Sequence, residues 1–391
     1  MKNYIGRTNR YTIPNVFKYS YSFKIPSGTD LLIKITLISP PFFLRGFYWL
    51  GIGFPPYLSP AYIFFPLTLG LFVWALLKDD RTSYLSFAFA FYQVIAIGLL
   101  IIQIVLFSLN YGLANEIGRV VFPPIYFFVC YTIFKRYPKD KVNEYFLFFV
   151  KSGVVLMSIE TLIRIFVIFP RMLGLTSLFY ALKPSLFFMD SNFTGFILVT
   201  YLSLVYYYRF NFKKEVFKND ILIISILILM TMSRSSIAAA FIIYFYAYFL
   251  RVGKLTKMTI LILGVSIISI LIPIVAKDGS FKTKIKIMGY FGDWIASSTE
   301  KLLFGIGSGN MSLAYNVGSH NLVGLTIELG FVWLAIYLGM FFCAWYSIGK
   351  SIIWLLMPMF VAGALSLYPI TYTGVVFIGF VFMILLNSFK R

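Results

Sequence analysis

The sequence predicts an all-α polytopic membrane protein with about twelve transmembrane helices and one larger extracytoplasmic loop. Three observations carry that expectation. Hydrophobic residues make up 60% of the 391, aromatics 20% and charged residues 12%, about half the charge of an ordinary soluble domain. Apolar runs recur along most of the chain at roughly the 20-residue length that crosses a bilayer as a helix. The strand-length alternation of a membrane barrel is missing.

The expected spans are 31–53, 59–77, 83–108, 119–134, 145–169, 186–208, 220–233, 236–250, 258–275, 321–345, 352–367 and 372–388. Residues 1–30 are polar and aromatic, with Lys2, Arg7, Arg10, Lys18 and Lys24 spread along them. They lack the compact apolar core of a cleavable signal and read as a cytoplasmic leader. Residues 31–391 read as a single transmembrane domain. Pro40–Pro41 and Pro55–Pro56 make the first two spans the weakest.

Most of the 34 Lys and Arg fall in segments that share one side, such as KRYPKDK at 135–141 and RFNFKKEVFK at 209–218. That bias is the positive-inside rule. It puts both termini in the cytoplasm and accounts for the +20 net charge without a nucleic-acid partner. Residues 276–319 then form the large outer loop, and GYFGDWIASSTEKLLFGIGSGN within it has the spacing of a short amphipathic helix lying on the membrane. Cys130 and Cys343 sit in apolar spans, and His320 is the single histidine, so there is no disulfide framework and no ligand set for zinc.

Polar groups at membrane depth need a reason, because an ionised side chain there costs roughly 2.5–3.5 kcal/mol on insertion scales. Glu160 and Arg164 are four apart in MSIETLIRIFVIFP. They read either as a self-neutralising pair within the bundle or as an Arg aimed into an outward cavity, its rotamer fixed by Glu160. Arg234 lies among serines at the tip of a broken hairpin, which suits an anionic ligand such as phosphate, or snorkelling to head groups. Asp190 and Asn192 interrupt SLFFMDSNFTGF and read as a helix cap or as groups that bind an acceptor or orient a base. His320, followed by Asn321, ends the outer loop. The GIGSGN run at 305–310 is no dinucleotide loop, since no strand precedes it, and its glycines read as a tight turn.

Taken together these segments resemble the bacterial O-antigen polymerase and O-antigen ligase superfamily, glycosyltransferases that use polyprenyl-diphosphate-linked glycans. The resemblance rests on FFMDSNFTG at 187–195, LMTMSRSSIAAA at 229–240, and LLFGIGSGN with SHNLVGLTIELGFVWLAIYLG between 302 and 339. It covers roughly 145–345. It implies a GT-C-like architecture, an active site on the outer face of the inner membrane, and polymerisation of an undecaprenyl-diphosphate-linked oligosaccharide that is both donor and acceptor. Ligase or protein O-oligosaccharyltransferase activity is the alternative within the superfamily, and a lipid-linked-oligosaccharide flippase the alternative outside it. The resemblance gives Arg234 the donor diphosphate and His320 the attacking hydroxyl. It calls for no metal or other cofactor and brings a chain-length regulator as a further partner. The family's usual outer-loop Arg is missing before Trp294, where Lys282, Lys284 and Lys286 stand. Lys286, Arg164 or Arg171 is then the second phosphate contact, with Asp190, Asn192, Glu160, Asn321 and Glu328 in support.

Overall fold

The computed structural model describes residues 27–41, 46–47, 52–53, 60–77, 84–107, 122–172, 182–186, 190–212, 215–259, 262, 279–317, 321–365 and 374–389. These are helical apart from turns and one two-residue antiparallel ribbon, β1 (Gly46–Phe47) against β2 (Ile52–Gly53). The helices are α1 (Ser27–Ile38), α2 (Pro60–Ile63), α3 (Phe65–Leu77), α4 (Tyr84–Leu106), α5 (Phe122–Phe134), α6 (Lys139–Ile163), α7 (Phe169–Met172), α8 (Ser191–Phe212), α9 (Lys218–Met230) and α10 (Arg234–Phe249). They continue with α11 (Gly279–Ile295), α12 (Thr299–Phe304), α13 (Met311–Tyr315), α14 (Leu322–Ile348), α15 (Ile353–Leu365) and α16 (Val375–Ser388).

Helices occupy the expected spans with two exceptions. Span 258–275 lies almost wholly outside the described residues, as does the leader up to residue 26. Span 31–53 is not one helix: α1 stops at Ile38, just before Pro40–Pro41, and the ribbon follows. Paired prolines remove two donors in succession and crowd the preceding turn, so the helix cannot run through them. Two helical stretches, Lys139–Arg171 and Leu322–Gly363, are long and apolar enough to cross a membrane.

α8 and α16 form the centre. A helix that is apolar all round must be enclosed on every side, and both are: α8 is buried continuously from Thr194 to Tyr208, α16 from Val375 to Leu386. α16 packs on α5, α6, α8 and α14. Its Phe382 ring lies 5.2 Å from Phe134, 5.4 Å from Phe146 and 5.7 Å from Phe149. The Tyr207 hydroxyl donates to the Met383 carbonyl at 3.1 Å, and the Tyr208 hydroxyl to Asn143 Oδ1 at 2.6 Å. Tyrosines at these buried depths need such acceptors, and each bond fixes α8 against a neighbour.

The outward faces are apolar too. Val155, Ile159, Leu162 and Phe166 repeat at helical spacing and are all exposed. So are Leu222, Ile226 and Leu229 on α9, and Phe87, Phe91, Val94, Ile97 and Ile101 on α4. Contiguous apolar stripes of this length are rare on soluble monomers.

At one end of the bundle Asp30 joins α1 to α6. Lys34 Nζ lies 2.6 Å from its carboxylate and Lys141 Nζ 3.5 Å away, and the Tyr145 hydroxyl donates at 2.7 Å. Partial burial pushes the Asp30 carboxyl up, but hydrogen bonds from Lys34 and Tyr145 and the Lys141 charge outweigh it and hold the group below its usual value. A depressed carboxylate stabilises the fold above its unfolded pKa of about 3.9, and that contribution is lost as pH falls through the lower folded value. In acid titrations of thermal stability in detergent, Asp30→Asn therefore removes part of the loss seen below about pH 4.

Helices α6 and α8 touch closely at Gly153, where an added Cβ would strike the Tyr201 ring. Tyr201 is fully buried and has no room to swing away. Gly153→Val is expected to cost about 1–3 kcal/mol or more through overpacking, read as a lowered apparent melting temperature.

Candidate functional site

The first turn of α8 is where the polar residues of the core converge. Asp190 caps it: its Oδ1 accepts the Asn192 amide at 2.9 Å, and its Oδ2 accepts Asn192 Nδ2 at 3.1 Å. An Asp at this position satisfies amides that the helix start leaves free. Asn192 Oδ1 then points away from Asp190 and accepts the Ser233 hydroxyl at 2.7 Å. The DSN turn and the SRSS turn, 41 residues apart in sequence, thus meet directly.

The SRSS turn is a helix break. α9 ends and the chain passes through Met232, which has φ 51, a left-handed conformation that costs a non-glycine residue roughly 1 kcal/mol or more. The Thr231 hydroxyl donates to the Ile228 carbonyl at 2.6 Å, and its oxygen accepts the Ser233 amide at 3.2 Å, holding that geometry. Ser233 caps α10, accepting the Ser236 amide, and its hydroxyl lies 2.9 Å from Ser236 Oγ and 3.2 Å from Ser235 Oγ. α9 and α10 return side by side, since the hydroxyls of Ser225 and Tyr244, on opposite arms, are in contact. Arg234 is the first residue of α10 and is exposed, while Ser233, Ser235 and Ser236 are buried. A guanidinium beside the positive end of a 16-residue helix makes a strongly anion-attracting point.

Gly195, one turn into α8, lets this happen. A Cβ there would collide with Ser236 and come within 3.1 Å of Thr231 Oγ1. On the other side of the same turn, Thr194 Oγ1 lies 2.7 Å from Ser185 Oγ, which donates to Glu160 Oε1 at 2.9 Å. Glu160 Oε1 also accepts the Leu186 amide at 3.2 Å. Arg164 is 0% exposed. Its Nη2 lies 3.2 Å from Glu160 Oε2 and donates to Thr161 Oγ1 at 3.1 Å. Of the two readings of this pair, the geometry is that of an ion pair enclosed within the bundle. It begins a π-helical turn, Arg164–Ile168, in which the Phe169 amide reaches back to the Arg164 carbonyl. Pro170 follows, and a proline that crowds the carbonyl four residues back favours such widening.

The third motif is built around a second break. α14 is interrupted at Gly330, with φ 84 and ψ 172, and the carbonyls this releases are all the more costly in an apolar bundle. The Gly-rich run supplies donors. The Ile306 amide donates to the Ile327 carbonyl at 3.0 Å and the Gly307 amide to Glu328 O at 3.2 Å. Gln103, from α4, donates through Nε2 to both Glu328 O at 2.8 Å and Phe304 O at 2.7 Å. Gly305 and Gly330 face each other so closely that a Cβ on either would enter the other's backbone, and both have positive φ. The turn expected of GIGSGN is therefore a strap laid across a broken helix. Glu328 is 1% exposed, and its Oε1 accepts the Met311 amide at 3.2 Å, anchoring the start of α13. Asn321 caps α14 by accepting the Gly324 amide at 2.8 Å. His320, directly before that cap in sequence, lies outside the described residues.

Residues 279–317, most of the expected outer loop, are folded rather than extended. Ile287, Trp294 and Met311 are buried with Ile327 in a separate small core, and Trp294 Nε1 donates to the Lys301 carbonyl at 3.1 Å. Lys286 is exposed on α11, which packs on α12 and α14, and Arg171 is exposed at the end of α7. Arg234 opens α10, which packs mainly on α8, α9 and α15. The structure thus joins Asp190 and Asn192 to the turn that carries Arg234, and Glu160 and Arg164 to the same helix start, and leaves Lys286 and Arg171 on other elements.

Gln103 and Ser185 were missed by sequence reasoning. The signal for Gln103 was a lone amide in IGLLIIQIVLF, where a polar group at that depth is a reason to look for its partner. Ser185 carried no signal of its own. Among the described residues no group of three His, Cys, Asp or Glu could hold a metal. No family model matches the chain, and no curated protein matches its sequence.

The Asn192–Ser233 link is testable by a double-mutant cycle. Ser233→Ala removes a cap worth about 1 kcal/mol. If the two side chains act as one unit, combining it with Asn192→Ala yields a coupling energy above about 0.5 kcal/mol in detergent-unfolding measurements. Simple additivity would mean that they do not.

Proposed function

We propose that the chain is a polytopic inner-membrane glycosyltransferase with about twelve spans, GT-C-like in architecture, with both termini cytoplasmic. It joins undecaprenyl-diphosphate-linked glycans into O-antigen or capsular polysaccharide at the outer face of the inner membrane. The exposed apolar stripes on α4, α6 and α9 and the two long apolar stretches support the membrane part of this reading, since lipid is the solvent such faces need. The observation that carries the chemistry is the Asn192–Ser233 contact. It joins two of the three segments behind the polymerase resemblance and fixes the helix start at which Arg234 is exposed.

In this mechanism the hydroxyl of the acceptor repeat attacks the anomeric carbon of the donor glycan. The bond from that carbon to the diphosphate oxygen breaks, and the carbon inverts. Undecaprenyl diphosphate leaves with the electron pair, and Arg234 with the start of α10 stabilises its growing charge, an electrostatic task that needs no proton transfer. His320 accepts the hydroxyl proton as a neutral imidazole. Arg164, enclosed against Glu160, supports the fold of the site, so the second phosphate contact falls to an exposed cation, Arg171 or Lys286. Asn321 and Glu328 hold the α14 end of the site, and Asp190 and Asn192 the α8 end.

The test is chain lengthening of a purified lipid-linked repeat by the protein in nanodiscs. His320→Ala and Arg234→Ala should each reduce it by about 10²–10⁴-fold. Undiminished lengthening in both variants would refute the assignment of the site. Transfer only to a lipid A core or protein acceptor would make the chain a ligase, and movement of the lipid-linked glycan without bond formation would make it a flippase.

A further inference from the structure

Helix α11 carries three distinct faces. Ile287 and Trp294 are buried in the small core, flanked by Tyr290 and Phe291. Away from them, at spacings of three and seven residues that keep to one helical face, Ile285 is 53% exposed, Met288 61% and Ile295 47%. Gly289 and Gly292 lie between these, and a Cβ at either would meet nothing. Each glycine costs a helix interior about 0.8–1.0 kcal/mol relative to Ala, and no close internal contact requires it. Lys282, Lys286 and Asp293 form a charged strip along one edge, all exposed.

The position of this helix decides what covers its apolar face. The Trp294 ring lies 4.8 Å from that of Phe331, and Ile287 shares the small core with Ile327. Both partners lie near the start of Leu322–Gly363, one of the stretches long enough to cross a membrane. At 1.5 Å per residue, Ile327 is roughly 8 Å from the start of that stretch. In the membrane reading a helix packed there lies about 5–10 Å deep, at the boundary between hydrocarbon and head groups, and Lys282 beside it matches their anionic phosphates.

We propose that α11 is an interfacial anchor that inserts Ile285, Met288 and Ile295 into the bilayer surface and sets Lys282 against anionic phospholipid head groups. This pins the folded outer loop, and with it the chain leading to His320, at a fixed depth. The proposal rests on the membrane reading but not on the glycosyltransferase chemistry.

The experiment uses the full chain with Cys130→Ala and Cys343→Ala, and one new cysteine, Met288→Cys or Asp293→Cys, carrying an environment-sensitive fluorophore. The protein is placed in nanodiscs of phosphatidylcholine with or without phosphatidylglycerol. The label at position 288 should be quenched by shallow spin-labelled lipid and shielded from aqueous iodide, and the label at 293 should be open to iodide. Phosphatidylglycerol should strengthen the shielding, and Lys282→Gln should weaken that gain by about fivefold in the docking equilibrium. Equal iodide access at both positions would overturn the proposal, as would lipid-independent shielding with crosslinking between labelled copies, which would make a second copy of the chain the cover. Extraction of the protein from vesicles by alkaline carbonate sinks the membrane reading itself. Resistance to extraction with an aqueous label at 288 sinks the anchor alone.

Discussion

Wherever a helix breaks inside an apolar bundle, the backbone groups it releases must find partners within the protein. Much of the polar architecture follows from meeting that demand twice. At Gly330 the freed carbonyls of Ile327 and Glu328 are met by amides of the Gly-rich strap and by the Gln103 side chain. At Met232 the break is closed by the hydroxyls of Thr231 and Ser233. The two solutions differ because their surroundings differ. The first takes donors from another segment and another helix, whereas the second is closed largely by its own hydroxyls, with Asn192 joining from outside.

That difference shapes the candidate site. The Ser233 cap leaves the start of α10 with its dipole intact and Arg234 exposed beside it, an arrangement that favours negative charge before any ligand arrives. The first turn of α8 braces this arrangement from both sides. Thr194 leads through Ser185 to the buried Glu160–Arg164 pair, and Asn192 and Gly195 face the break. A buried pair of this kind adds little net stability once desolvation is counted, but loss of one partner would strand the other charge. Its value lies in holding one geometry of α6, the 182–186 segment and α8.

The order of helices was readable because burial in this bundle needs only long apolar runs, and polar interruptions such as Asp190 and Ser233 mark where those runs start. The glycines of GIGSGN were readable as a turn, because few other residues accept positive φ. What they turn against was not readable. The pairing of Ile306 and Gly307 with a break in α14 is non-local, and nothing in GLTIELGFVW distinguishes a conformational glycine at 330 from a packing one. The interruption of span 31–53 was signalled by Pro40–Pro41 but outweighed by hydropathy. Glu160 and Arg164 were legible as a pair from their spacing, and their partner Ser185 was not, since that contact arises only when α6 meets the chain before α8.

The enclosure of α16 also bears on assembly. This helix comes late in the chain, yet it fills the space between α5, α6, α8 and α14. Elements made earlier must keep a vacancy for it. Closure then gathers Phe134, Phe146 and Phe149 around Phe382. Contacts so distant along the chain form slowly. The central packing of the bundle is thus completed only once Val375–Ser388 has been made, and a ribosome that stalls before Val375 would leave behind an open shell rather than a smaller protein.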